Sequence, residues 1–251
     1  MRADQLLVSR GLAESRTRAR ELIEAGAVKT RIAGRDEVLR KPATELPDDA
    51  PLSVAEAATL RYVSRGGLKL EAALARSGFE ARGAVCLDLG QSTGGFTDCL
   101  LQAGAARVVG IDVGHGQLHP RLRDDARVRA FEGINVRTLT PATLADAWPA
   151  AGFDLVVADL SFISLTLALP AAAALARHGG GVLLALVKPQ FEVGPGGVDR
   201  RGLVRDETLF DDVRQRVQQA ASDAGWQLRD WFDSPIRGGD GNREFFLHAR
   251  I

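Results

Sequence analysis

The stretch Asp88-Leu89-Gly90-Gln91-Ser92-Thr93-Gly94-Gly95-Phe96 follows directly on the apolar run Ala84-Val85-Cys86-Leu87. Glycines at such a point let backbone amides come close to a ligand, or simply make a tight strand-to-helix turn. The spacing is GxxxGG, which differs from the GxGxxG of a pyrophosphate cradle and argues against a dinucleotide. Asp88 at the entry to the loop points the same way, because its charge disfavours a pyrophosphate and tolerates a cationic, zwitterionic ligand. Asp112 ends the next apolar run, Val108-Val109-Gly110-Ile111. An acid there can accept hydrogen bonds from a ribose diol, or cap a helix. Asn135, after a further strand-like stretch, can hold an adenine edge or make a turn.

Three more polar residues mark the ends of apolar segments. Asp159 follows Phe153-Asp154-Leu155-Val156-Val157-Ala158, Lys188 follows Gly181-Val182-Leu183-Leu184-Ala185-Leu186-Val187, and Glu244 opens the last apolar segment, where a solvated edge-strand glutamate is the plain alternative. A lysine or an aspartate placed so close to a core is costly unless paired, so Asp159 and Lys188 make either a structural ion pair or part of a reacting site. Lys69, in Tyr62-Val63-Ser64-Arg65-Gly66-Gly67-Leu68-Lys69-Leu70, sits behind a basic glycine turn. If these four converge beside a sulfonium methyl group, they form a cluster able to orient and deprotonate a weakly acidic hydroxyl. The charges would be coupled, so no single one is the base.

The elements needed to position them are legible from periodicity. Residues 84–251 alternate near-continuous apolar strands with amphipathic helices and end in an antiparallel pair, Trp226–Ser234 and Arg243–Ile251. This predicts a doubly wound α/β sheet, which binds ligands at the carboxyl ends of its strands. Residues 1–58 read differently. They give a short helix with Leu6, Leu7 and Val8 inward, and a second with Ala19, Leu22 and Ile23 on one face, Ser15 as N-cap and Gly26 as the stop. Strands follow near Val28–Ile32 and Glu37–Leu39, with one more small strand. Such a module is marginal alone.

The 251-residue chain carries 32 Lys+Arg against 32 Asp+Glu, so global charge gives no argument for nucleic acid. The local balance is uneven, with ten basic and six acidic residues in positions 1–41. Two cysteines outside any CxxC pair and four scattered histidines give neither a disulfide framework nor metal spacing. No secretory h-region and no membrane-length apolar run is seen, so a cytoplasmic, non-membrane protein is expected.

The whole chain resembles the TlyA family of hemolysin-named ribosomal RNA 2′-O-methyltransferases. These join an S4 RNA-binding domain to an FtsJ/RrmJ-like methyltransferase domain. The resemblance rests on YVSRGGLKL, DLGQSTGGFTD, GIDVGHGQL, VVADLSFISL, VKPQFEVG and GNREFF, with MRADQLLVSRGLAESRTRARELIEAGAV for the S4 part. It implies a Rossmann-like S-adenosylmethionine-dependent methyltransferase sheet behind a small α+β S4 domain. The implied boundaries are 1–58 for the RNA module, 59–67 for a linker and 68–251 for the methyltransferase domain. The implied catalytic tetrad is Lys69, Asp159, Lys188 and Glu244. The implied cofactor residues are Asp88, Gly90, Ser92, Thr93, Gly94, Gly95, Phe96, Asp112, Val113, Asn135 and Asp159. Arg2, Arg16, Arg20, Lys29 and Arg65 become the expected RNA contacts. The implied substrate is a cytidine ribose in ribosomal RNA, free or in assembled subunits; the oligomeric state stays open. Two departures stand out. VKTRIAG replaces the family's V-N-G turn, which bears on RNA grip, and Gln91 replaces a small residue, which is expected to narrow the cofactor pocket. The rivals are a non-catalytic RNA-binding assembly factor, a membrane-active hemolysin and an NAD enzyme.

Overall fold

A computed structural model describes residues 1–24, 27–32, 35–54, 61–239 and 241–251. The chain divides into two compact units, Met1–Arg65 and Gly66–Ile251.

In the first unit, α1 (Ala3–Ser9) and α2 (Arg16–Glu24) precede a small antiparallel sheet of β1 (Val28–Ile32), β2 (Arg35–Val38) and β3 (Leu52–Val54), with β1 in the middle. The Ser15 hydroxyl accepts from the Arg18 N–H at 3.2 Å and so caps α2 as expected. Gly26, the expected stop, lies outside the described residues. Leu6, Leu7, Ala19, Leu22, Ile23 and Val28 are buried together, and Val8 is only half-buried against them.

The second unit contains α3 (Gly66–Ser77), β4 (Val85–Leu89), α4 (Gly95–Gln102), β5 (Arg107–Ile111), α5 (Pro120–Arg123), β6 (Val128–Phe131) and α6 (Pro141–Leu144). These are followed by β7 (Leu155–Ala158), α7 (Leu169–Leu175), β8 (Val182–Val187), α8 (Leu209–Asp223), β9 (Gln227–Asp233) and β10 (Phe245–Arg250). The strands form one sheet in the order β6-β5-β4-β7-β8-β10-β9. The first five are parallel, and β10 is antiparallel to both of its neighbours. Alternate residues of β4, β5, β7 and β8 share one face, where Leu87, Val109, Val156 and Leu183 stand in register. That face packs on Leu169, Ala172 and Leu175 of α7 and Val213 and Val217 of α8. The apolar runs are continuous because the sheet is covered on both sides.

Two features differ from the sequence reading. Gly66 and Gly67, expected in a linker, form the first turn of α3. The last strand is not an edge: β10 is inserted between β8 and β9, so Glu244 lies at the entrance to an interior strand and is 3% exposed rather than solvated. Among the described residues, no helix is long and apolar enough to cross a membrane.

Candidate active site

The chain turns from one half of the sheet to the other between β4 and β7, and a crevice opens at such a switch point. The loop after β4 and the segment after β7 are locked together there. The Asp159 N–H donates to Leu89 O at 2.9 Å, and a Cβ on Gly90 would fall 2.6 Å from Asp159 O. Gly90, at φ +84°, is thus required by both backbone angle and space.

A cavity of about 800 Å³ opens beside this contact. Of the residues expected to hold a cofactor, Gly90, Ser92, Asp112, Val113, Asn135 and Asp159 line it. Both Asp112 oxygens accept backbone N–H groups, Oδ2 from Ser92 and Oδ1 from Gly114, each at 2.7 Å. These bonds fix the carboxylate at the end of β5 and leave lone pairs for a diol. Asn135 Oδ1 accepts from the Arg137 N–H at 3.0 Å, the turn role that the sequence had left open.

Asp88, Thr93, Gly94, Gly95 and Phe96 do not line the cavity. Phe96 is packed into the core, stacked on Phe246 of β10 with ring centroids 6.3 Å apart. Asp88 is fully buried beneath the loop; its Oδ2 accepts from the Thr97 hydroxyl at 2.7 Å and its Oδ1 has no partner. Burial pushes its carboxyl up to about 7 against the Thr97 bond. The acid expected to act on the ligand by its charge is therefore a core residue that is largely protonated below neutrality. Gln91 also turns inward. Its amide donates to Thr97 Oγ1 at 2.8 Å and fills the space over Gly110, where a Cβ would meet it at 2.0 Å. It does not narrow the cavity, which the sequence reading had expected.

The four expected catalytic residues form two lysine–carboxylate pairs. Lys69, in the first part of α3 and buried, donates to Glu244 Oε2 at 2.5 Å. Lys188, after β8, lies 2.7 Å from Asp159 Oδ1 and donates to Ser161 Oγ at 2.8 Å. Burial works to raise the Asp159 carboxyl, but Lys188 and Lys69 together hold it below the usual range. At Glu244 burial prevails over Lys69 and the carboxyl is raised. Each carboxyl feels both lysines and, at Glu244, the charge of Asp159 as well, so the two pairs are electrostatically coupled. Gly238 makes room for this arrangement, since a Cβ there would lie 2.6 Å from Glu244 Oε1.

Three further residues were not anticipated, although two lie in the Asp-Leu-Ser-Phe stretch and one in Lys-Pro-Gln-Phe-Glu. Ser161 lines the cavity and holds Lys188. Phe162, also on the rim, is 92% exposed at φ 65°, a strained backbone for a bulky residue. Glu192 is buried and accepts from Ser164 Oγ at 2.6 Å and the Leu165 N–H at 2.7 Å. It ties the segment after β8, which carries Lys188, to the cavity wall after β7.

The expected RNA contacts belong to the first unit and divide by environment. Arg16, Arg20 and Lys29 are exposed, whereas Arg2 is held in two 3.0 Å bonds by the buried Asp4. Arg16 reaches the same carboxylate at 3.4 Å. Arg65, half-buried, is the last residue of that unit.

Comparison with known proteins agrees with this layout. The FtsJ-like methyltransferase profile matches residues 62–251, and the S4 domain profile matches residues 1–29. The chain is 46% identical to the 16S/23S rRNA (cytidine-2′-O)-methyltransferase TlyA of Mycobacterium tuberculosis, over 99% of this chain and 89% of that one. It is 35% identical to the 23S rRNA (cytidine-2′-O)-methyltransferase TlyA of Campylobacter jejuni, over 99% of this chain and 98% of that one. A solved structure of a protein named as a hemolysin, from Streptococcus thermophilus, superposes with a TM-score of 0.76 at 41% identity, covering 100% of this chain and 88% of that one. With its S4 segment, its S-adenosylmethionine-dependent methyltransferase fold and relatives of this similarity along its full length, the chain belongs to the TlyA family of FtsJ-like methyltransferases.

Proposed function

We propose that the protein transfers a methyl group from S-adenosylmethionine to the 2′-hydroxyl of a cytidine ribose in ribosomal RNA. The observation that carries this reading is the pair of lysine–carboxylate contacts, Lys69–Glu244 and Lys188–Asp159, at the carboxyl edge of the sheet where the cavity opens. The names of the TlyA relatives supply the nucleotide and the RNA class.

The cavity fits the cofactor in size and chemistry. Its volume suits a molecule of that size, Asp112 can accept from a ribose diol, and Ile111, Val113, Ile134 and Leu160 give apolar walls for a purine. Bound there, S-adenosylmethionine supplies an electrophilic methyl group. The chain's residues then have to make a ribose hydroxyl nucleophilic. Lys188, steered by Asp159 and Ser161, stabilises negative charge developing on the attacking oxygen. The proton that leaves the hydroxyl is taken up within the coupled cluster, where Glu244, raised by burial, and Lys69 share a hydrogen bond. Phe162 offers a ring face at the cavity rim for a base.

The S4-like module, residues 1–58, serves as the RNA grip, with Arg16, Arg20 and Lys29 exposed for phosphate and Arg2 anchored on Asp4. Arg65 would extend this grip. Residues 68–251 serve as the methyltransferase domain. The substrate, free rRNA or an assembled subunit, implies a cytoplasmic protein. The experiment is a map of ribose methylation in rRNA from cells with and without the protein, repeated with Lys188→Ala. A cytidine methylated only with the parent protein is expected; identical maps in all three would overturn the reading.

A further inference from the structure

Between β8 and α8 the chain makes a tight turn whose bonds are nearly all internal. Asp199 Oδ1 accepts the N–H groups of Arg201 at 2.7 Å and Leu203 at 3.0 Å, and Oδ2 accepts from Arg205 Nε at 2.9 Å. The Asp199 and Gly202 N–H groups close the turn onto Leu203 O and Asp199 O, each at 2.9 Å. These donors, the Leu203 N–H first, hold the Asp199 carboxyl down to about 2, so its charge is committed to its own loop. Asp206 likewise accepts from Thr208 at the start of α8. Arg200 and Arg201 are left at the tip. Both are exposed, and neither guanidinium has a partner among the described residues.

The turn is also anchored from outside. Asn242 is 3% exposed, and both ends of its amide are engaged by the turn. Its Oδ1 accepts from the Val204 N–H at 3.0 Å and its Nδ2 donates to Gly202 O at 2.9 Å. A buried amide that spends both its oxygen and its nitrogen on one turn is an unusual support for an ordinary solvated loop. Asn242 stands two residues before Glu244, and Gly238, whose N–H donates to Asn242 O at 2.9 Å, packs on the Glu244 carboxylate. Phe245 pairs with Val187, the residue before Lys188. The arginine tip is thus fixed to the strand connection that encloses one catalytic pair, on the sheet edge where the cavity opens.

We propose that the Asp199–Arg205 turn is a second RNA contact, built into the methyltransferase unit itself, in which Arg200 and Arg201 hold backbone phosphates of the substrate strand near the target ribose. The inference rests on the RNA-methyltransferase reading above. Its physical sense lies in preorganisation. A rigid turn presents two guanidinium groups with only side-chain freedom left to lose, and phosphate contacts position a strand without reading its sequence. Exposed arginines of the S4 module grip the RNA at large, while this turn, by its anchorage, fixes the register of the strand relative to Lys69 and Glu244.

The test is binding of the full chain to purified rRNA across a salt titration, comparing the parent with Arg200→Gln/Arg201→Gln. Two lost phosphate contacts should flatten the slope of log affinity against log salt by about 1.4 to 1.8, which is about 25- to 60-fold weaker binding at 0.1 M salt and near-equality at 1 M. Calorimetry with S-adenosylmethionine should give the parental affinity and serves as the check on folding. Asn242→Ala, which unties the turn but keeps both charges, should weaken RNA binding while retaining the parental slope. A double glutamine variant with parental affinity and slope overturns the proposal. Because binding is read without methyl transfer, the two ideas fail separately. A parent that transfers no methyl group while the variant still loses RNA sinks the enzymatic reading alone. A parent that methylates while the variant binds as before sinks this proposal alone, and a parent that binds no RNA sinks both.

Discussion

Replacing Asp88 by asparagine should stabilise the protein at neutral and alkaline pH, although the residue lies beneath the candidate cofactor loop. The carboxyl is fully buried, one oxygen lacks any partner, and its pKa is raised from 3.8 to about 7. In the unfolded chain it ionises near the lower value. Between the two values the folded protein therefore holds a proton that the unfolded chain has released. Its contribution is fully present below about pH 4, declines as pH rises, and levels off above about 7. A shift of about three units corresponds to a loss of about 4 kcal/mol over that interval. The substituted amide would keep the shape and the Thr97 contact without the charge. The expected difference in stability is near zero at pH 4 and grows to about 4 kcal/mol by pH 8, or roughly 8–16 °C in Tm for a unit of this size. Thermal unfolding of both proteins from pH 4 to pH 8 measures it. A difference that does not depend on pH, or an asparagine variant less stable at pH 8, would refute the reasoning.

Lys188→Ala should lower the single-turnover methyl-transfer rate by roughly 10²–10⁴-fold at saturating cofactor and RNA, with cofactor affinity retained; a parental rate would return Lys188–Asp159 to a purely structural role. Asp112→Ala should weaken S-adenosylmethionine binding by roughly 10- to 100-fold in calorimetry, as expected for one charge-assisted hydrogen bond, and unchanged affinity would remove Asp112 from the cofactor site. Gly238→Ala, whose new Cβ would meet Glu244 Oε1 at 2.6 Å, should cut the transfer rate with little change in cofactor affinity; parental turnover would show that the Lys69–Glu244 contact is dispensable. Charge reversal of Arg16 and Arg20 should reduce RNA affinity most at low salt, and equal binding across the titration would displace the RNA surface from α2.

Much of the site was legible because it lies where apolar strands run out. Asp159 and Lys188 each follow a segment too apolar to be anything but a buried strand, and a parallel sheet collects such ends on one edge. What the pattern could not convey was strand order. An alternating terminal segment reads as an edge strand, and only the insertion of β10 between β8 and β9 encloses Glu244 and brings it to Lys69. Side-chain direction was equally hidden. Asp88, Gln91 and Phe96 have the types and spacing of ligand contacts, yet all three turn into the core, and of this loop only Gly90 and Ser92 line the cavity. Ser161, Phe162 and Glu192 carry no periodic signal at all; their roles arise from the meeting of two loops distant in sequence.

The insertion of β10 also bears on how the molecule comes into being. Lys69 and Glu244 are separated by 175 positions, and the strand that delivers the glutamate enters between two strands made before it. During synthesis, β8 and β9 emerge with no partner for the facing sides of their backbones, and the sheet remains split until Phe245–Arg250 has left the ribosome. The cavity walls come from the segments that end β4, β5, β6 and β7 and can assemble early, so a nascent chain can form the cavity well before it holds both lysine–carboxylate pairs. Closure of the sheet and completion of the site are then one event, and a chain lacking only Phe245–Arg250 forfeits both together, leaving two bare strand edges open to association with other chains.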